Sequence, residues 1–192
     1  MTGQDSVEEV RKEYLFRHIL EIYGEDPNRE GLLETPKRWR KSFNELLSGY
    51  QKDPLAVFTT FESSGYKDLV IVRDIPFYSL CEHHILPFFG HIHIGYLPSD
   101  RIVGLSKFAR LTEIFAQRLQ VQERLTSQIA DTIQVGLNPR GTIVVCEAEH
   151  LCLTMRGAQK PGSTTVTSSL RGLAEGDLGL KQEFFMLLRG GR

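Results

Sequence analysis

Long apolar runs are missing from this chain of 192 residues. No stretch approaches the roughly 20 residues that cross a bilayer as a helix, so a membrane-spanning role is not expected. Residues 1–11 are polar and acidic, without the apolar centre of a secretion signal, which points to a cytoplasmic protein. A surplus of one charge is missing as well: 23 Lys and Arg stand against 24 Asp and Glu, for a net charge of −1. A general grip on nucleic acid needs a basic surplus, so any anion site must be local. Cysteine is scarce. Three unevenly spaced thiols do not make a disulfide framework, and they direct attention to metal binding or catalysis. There are no repeats and no low-complexity segments. The remainder is of ordinary globular composition, 41% hydrophobic and 24% charged, in a chain long enough to bury a core without covalent staples.

The reactive side chains are concentrated in two places. Cys81-Glu82-His83-His84 puts a thiol, a carboxylate and two imidazoles in consecutive positions. Cys81 and His84 have the C-x-x-H spacing that lets both reach one metal from a tight turn. About seventy residues later come His150 and Cys152. On a strand, residues i and i+2 point the same way, which would turn both toward one site. The candidate ligands are therefore Cys81, His84, Cys152, His150, His83 and Cys146. Two thiolates and one imidazole form a soft set suited to zinc. If Cys81, His84 and Cys152 are the ligands, two imidazoles stay available for proton transfer beside a water whose pKa zinc brings to about 7. If His150 is a fourth ligand, the site is closed and structural. Cys146 reads as a small buried hydrophobe.

Taken in order, residues 6–23 predict an amphipathic helix with the stripe Val7, Val10, Tyr14, His18 and Ile22, capped by Asp5 or Ser6 and ended at Gly24. His18 reads as a structural histidine on that face. Thr35-Pro36 opens a second helix as N-cap and first position, with the stripe Trp39, Phe43, Leu46 and Tyr50 and an end at Gly49. Its other face, Lys37, Arg38, Arg40 and Lys41, reads as solvated or as an anion site. A strand follows over 67–75, and a second returns through His91 to Tyr96. There His91 and His93 face solvent or an interface, away from Ile92, Ile94 and Tyr96. Ser106 caps a helix carrying Phe108, Leu111 and Phe115. After a break near Leu119-Gln120, Val121, Leu125, Ile129 and Ile133 predict another. Asn138-Pro139-Arg140-Gly141 is a turn, 142–154 a strand, 163–169 a polar strand, and 183–188 a short final strand. The order predicts an α+β fold with an antiparallel sheet. Residues 1–52 form an N-terminal helical region and residues 53–192 the second domain.

Glu123, in the first turn of its helix, suits the helix dipole and could also accept two hydrogen bonds from a planar N–H edge. Lys107, Arg110 and Arg156 bring positive charge from separate segments. Together, Cys81-Glu82-His83-His84, Gly104-Leu105-Ser106-Lys107, Gln120-Val121-Gln122-Glu123-Arg124 and His150-x-Cys152-x-x-x-Arg156-Gly157 resemble GTP cyclohydrolase I in order and separation. Glu34-Thr35-Pro36-x-Arg38 and the Ser/Thr run before Leu170 match too, so the resemblance covers the chain from about residue 30 onward. Leu119 stands where that family usually has proline, and Arg171 where a glycine is common.

The resemblance implies a tunnelling fold, an antiparallel sheet with two helices on one side, preceded by N-terminal helices. It implies a homodecamer of two pentamers with active sites between subunits. The activity implied is the conversion of GTP and water to 7,8-dihydroneopterin triphosphate and formate, the first step toward tetrahydrofolate and other pterins. Cys81, His84 and Cys152 would hold Zn2+, and His83 and His150 would move protons as metal-activated water attacks C8 of guanine. Gln122 and Glu123 would bind the guanine edge and Ser106 the ribose. Lys107, Arg110, Arg156 and a neighbour's Arg38 would hold the triphosphate. No nucleic-acid or membrane partner is implied. Two rivals stand beside this reading. A nitrile reductase of the same fold would use a nucleophilic Cys, a nicotinamide cofactor and no zinc. A non-catalytic zinc module would have four protein ligands.

Overall fold

A computed structural model describes residues 6–190, in two compact units that divide between Leu47 and Ser48. The first unit holds two helices, α1 (Val7–Ile22) and α2 (Thr35–Leu46). Ser6 caps α1 through a reciprocal box: its hydroxyl accepts from the Glu9 N–H, and the Glu9 carboxylate accepts from the Ser6 N–H. Asp5, the alternative cap, lies outside the described residues.

The face that α1 turns toward α2 is not the predicted stripe. Val7, Val10, Tyr14 and Ile22 are exposed, and the face that meets α2 runs through Glu9, Glu13 and Phe16. Phe16 stacks on Trp39 at 4.6 Å between centroids, and Trp39 lies 4.6 Å from Phe43. The reason for the displaced face is Arg40. It is only 4% exposed, and its guanidinium donates to Glu9 at 2.6 Å and Glu13 at 2.7 Å. A buried cation has to be paired, so these glutamates turn inward and take the helix face with them. Arg40 is thus no part of a solvated basic face, whereas Lys37, Arg38 and Lys41 are exposed. His18 is exposed too, 3.4 Å from Glu21, and has no core role. Thr35 is the first helical residue with Pro36 behind it, and Glu34 takes the cap position.

The second unit is built on a sheet of five strands. In chain order it contains β1 (Thr60–Glu62), β2 (Val70–Cys81), β3 (Pro87–Leu97), β4 (Arg101–Val103), α3 (Ser106–Ala116), β5 (Leu119–Gln120) and α4 (Gln122–Leu137). These are followed by β6 (Gly141–His150), α5 (Leu151–Thr154), β7 (Thr164–Gly172), α6 (Leu173–Gly176) and α7 (Leu178–Arg189). The sheet order is β5-β2-β3-β6-β7, and β1 pairs with β4 apart from it. Every neighbour in the large sheet is antiparallel except β5, whose two residues run parallel to the end of β2. The expected α+β architecture is present: α3 and α4 cover one face of the sheet, burying Phe88, Ile92, Ile94, Phe108, Leu125 and Ile129. The sheet with two helices on one face matches the expected subunit plan. No described helix is long and apolar enough to cross a membrane.

The other face is covered where a short final strand was expected. Residues 183–188 belong to α7, not to a strand. Asp177 caps it by accepting from the Leu180 N–H, and Leu180 and Phe184 pack on Leu97, Ile143 and Val145. Gly95 makes room, since a Cβ there would lie 2.6 Å from the Phe184 ring. Helix α7 also changes the standing of His93. It is 1% exposed rather than solvent-facing, lines a cavity of about 350 Å³ with Phe185 and Leu188, and accepts the Asp74 N–H at 3.1 Å. Asp74 sits at φ +58° in a bulge of β2, which turns its amide toward that ring. His91, its neighbour on the same strand face, is exposed as expected.

Both departures from the family pattern have local partners. The Leu119 N–H donates to the Tyr50 hydroxyl at 3.1 Å, a bond that proline has no hydrogen to make. Arg171 ties β7 to α4, donating to Asp131 at 2.5 Å and Ser127 at 2.9 Å.

Candidate metal centre and active site

Strand β2 delivers Cys81 as its last residue, and a tight turn then leads into β3. The Cys81 carbonyl accepts from the Ile85 N–H at 2.8 Å, while the Cys81 N–H donates to Leu86 at 2.8 Å. Ile85 adopts φ +54°, a conformation a β-branched residue takes only under local constraint. The turn is held from the side as well. The Glu82 N–H donates to the Gln120 carbonyl of β5 at 3.0 Å, and Arg124 of α4 meets the Glu82 carboxylate at 2.6 Å. The loop that carries Cys81, His83 and His84 is therefore braced against the start of α4.

The third thiol arrives differently from the strand alternation first expected. Strand β6 ends at His150, and Cys152 lies in the one-turn helix α5. That turn sends the two side chains apart. The ligand atoms of Cys81, His84 and Cys152 all lie within 4.8 Å of one another. His150 is outside this group; its Nε2 lies 2.8 Å from the Gln122 amide oxygen, and its ring stacks on Phe88 at 4.7 Å and 4°. The pairing of β3 with β6 sets Phe88 directly opposite His150. His83 stays beside the cluster, with Nδ1 3.6 Å from the Cys81 sulfur.

The donor set fits zinc. Zinc bonds of about 2.0–2.3 Å hold tetrahedral ligand atoms roughly 3.4–3.8 Å apart, about an ångström inside the observed upper bound. Two sulfurs and one imidazole nitrogen are the soft set zinc prefers, and three protein ligands are one short of a closed tetrahedral set. The thiol of Cys152 is pushed up by burial and by the neighbouring Cys81, against the pull of Arg156. Two thiolates this close would repel each other, and a cation between them would relieve that repulsion. Cys146 takes no part. It is buried in the core, its thiol pushed up to about 12 mainly by desolvation, against the opposing pull of Thr126 and Thr167.

Around this centre the other expected residues divide. Burial lowers the pKa of His150, and the charge of Glu123 opposes that shift, so Glu123 lies within electrostatic reach of the ring. Arg156 acts on Cys152 in the same way. The side chains of Glu123 and Arg156 are exposed and make no hydrogen bond or ion pair among the described residues. Ser106 and Lys107 open α3 and Arg110 follows one turn on; Ser106 starts the helix as its first residue and makes no capping bond, unlike the expectation. Arg38 belongs to the first unit. Gln122 is buried, with its amide nitrogen donating to the Cys146 and Thr165 carbonyls.

Phe88 is not marked by the sequence, and Gln120 and Arg124 stand in it only as parts of a motif, with no role of their own. Their roles depend on strand register and on the parallel pairing of β5, and the only hint in the chain was the Phe88-Phe89 pair ahead of the His91 strand.

Comparison with known proteins places these features in context. The family model for GTP cyclohydrolase I matches residues 12–189. GTP cyclohydrolase 1 of Geobacillus kaustophilus is 52% identical over 178 residues, covering 92% of this chain and 95% of that protein. GTP cyclohydrolase 1 of Streptococcus pyogenes serotype M1 is 52% identical over 184 residues, covering 95% of each. Among solved structures, the apo form of the archaeosine synthase QueF-Like overlaps 54% of this chain and 93% of its own, at 14% identity and a TM-score of 0.42.

Proposed function

The chain belongs to the GTP cyclohydrolase I family, and from that premise we propose that it is a zinc-dependent hydrolase of GTP. It acts on the cyclic amidine of guanine, taking GTP and water to 7,8-dihydroneopterin triphosphate and formate at the head of tetrahydrofolate and pterin synthesis. The observation that carries this reading is the split between the two halves of the Cys/His constellation: three ligands converge, while His150 is held apart on Phe88 and Gln122. A closed structural site would need that imidazole as its fourth ligand.

In this mechanism Cys81, His84 and Cys152 hold the metal. When bound, zinc supplies Lewis acidity, which makes water a competent nucleophile near neutral pH. The protein supplies the rest. Glu123 accepts from guanine N1–H and the 2-amino group through its two oxygens, a pairing adenine does not offer, since it has an acceptor at N1 and no 2-amino group. That anchor orients the five-membered ring toward the cluster. His83 and His150 serve the proton steps: one protonates N7 as C8 is attacked, and His150 continues in ribose opening and rearrangement, with Ser106 on the ribose. Lys107, Arg110 and Arg156 hold the triphosphate together with Arg38 of the partner subunit. The sites lie between subunits of a homodecamer made of two pentamers. The protein works in the cytoplasm without a nucleic-acid or membrane partner.

The test is incubation of the zinc-replete protein with GTP, following formate and the fluorescent pterin obtained on oxidation, with ATP in parallel. Formate and pterin from GTP but not from ATP are expected. No product from GTP with zinc bound would overturn the reading in favour of a non-catalytic zinc module.

A further inference from the structure

Gln122 is 2% exposed, and its side-chain amide is committed at both ends. The nitrogen donates to the Cys146 carbonyl at 2.9 Å, the Thr165 carbonyl at 3.0 Å and the Thr167 hydroxyl at 3.2 Å. Turning the amide over would set its oxygen against two carbonyl oxygens, so these acceptors decide which end is nitrogen. The oxygen is left facing His150 Nε2 at 2.8 Å. An amide oxygen only accepts, so the ring carries its proton on Nε2 and keeps the lone pair on Nδ1. The network closes behind it. The Thr126 hydroxyl donates to the Gln122 carbonyl at 2.7 Å and lies 2.7 Å from the Thr167 hydroxyl. Thr126 spends its one proton on that carbonyl, so Thr167 donates to Thr126 and still accepts from Gln122. Phe88 sets the plane of the His150 ring, and the Gln122 bond sets its rotation within that plane.

We propose that Gln122 is the positioning residue of His150, delivering it as the Nε2–H tautomer with Nδ1 available to the reaction, and that its side chain does not read guanine. Two N–H donors with three protein acceptors have none to spare for a base. The inference rests on the reading of His150 as a proton-transfer group in GTP hydrolysis.

The experiment has two arms on the zinc-loaded oligomer. In the first, Gln122→Met keeps the length and removes the amide. Zinc content and the KM for GTP should stay within about threefold of the unsubstituted protein, while kcat falls at least about tenfold, in proportion to a loss made only during proton transfer. A KM raised several-fold at unchanged kcat would assign Gln122 to guanine instead. A lowered melting temperature with normal kinetics would reduce it to a structural role. Either result overturns the proposal. In the second arm, solid-state nitrogen spectra of histidine-labelled protein near pH 8, with the His150 signals assigned by their loss in His150→Asn, read the tautomer directly. A protonated Nε2 supports the proposal and a protonated Nδ1 overturns it, even if Gln122→Met fails to assemble. This arm does not depend on turnover, so a protein inactive on GTP would defeat the functional reading while the spectrum still decided the positioning.

Discussion

Phe88→Leu separates the support of the His150 ring from the support of the fold. Phe88 is wholly buried, meets Phe77 edge-on at 5.7 Å and 74°, and lies flat beneath His150 at 4.7 Å. Leucine keeps most of the volume and all of the apolar character, so the cavity cost stays well below the 3–5 kcal/mol of a Phe→Ala change. About 1 kcal/mol for the residual gap and about 1 kcal/mol for the lost aromatic pairs give a total near 2 kcal/mol. Set against a usual stability of about 5–15 kcal/mol, that leaves the protein folded. It also leaves Cys81, His84 and Cys152 untouched, so metal content should not change. The catalytic effect should be disproportionate. His150 keeps its hydrogen bond to Gln122 but loses the surface that sets its plane, and kcat for GTP should fall at least about tenfold. Thermal melting, zinc analysis and steady-state kinetics on one variant are sufficient. A melting temperature lowered as expected with kcat within about threefold of normal would refute the claim that the stack serves catalysis.

The remaining predictions concern the metal, the buried thiol and the oligomer. Cys81→Ser and Cys152→Ser should each strip the metal and the activity, whereas Cys146→Ser should keep both; metal loss from the last would show that the ligands are misassigned. Burial raises the Cys146 pKa from 9.0 to about 12, so the unfolded thiol ionises first. Stability should therefore be intact below pH 9 and fall between pH 9 and 12 by about 1.4 kcal/mol per pH unit, and Cys146→Ala should flatten that slope in denaturant titrations. Mixing Arg38→Ala with His150→Ala subunits, each inactive alone, should restore part of the activity if Arg38 completes a neighbour's site. No recovery after verified subunit exchange would argue against a shared site.

Much of the site was legible because its chemistry is local. The C-x-x-H spacing predicts Cys81 and His84 on one turn, and the helix start at Gln122 follows from the four-residue march of Leu125, Ile129 and Ile133. The errors have one common origin, in elements whose state depends on what packs against them. Residues 184–188 are apolar at every position, which suits a strand and a buried helix equally, and only the fit of Leu180 and Phe184 on the sheet decides for α7. That helix then buries His93, which strand alternation alone turns outward. The stripe on α1 is a real periodicity, but the described chain turns the neighbouring face toward α2 because Arg40 draws in Glu9 and Glu13. At the centre itself, alternation predicts that His150 and Cys152 face together. The strand instead ends between them, and the change from β6 to α5 sends the thiol to the metal group and the imidazole to Phe88 and Gln122.

The separation of ligands from proton carriers is the core of the account, and zinc content measured beside turnover in His150→Ala tests it most directly. The account predicts one zinc per chain retained, with turnover of GTP reduced at least about a hundredfold, the lower end of general acid–base catalysis. Loss of the zinc together with the activity would contradict it, because His150 would then be a fourth ligand of a closed site.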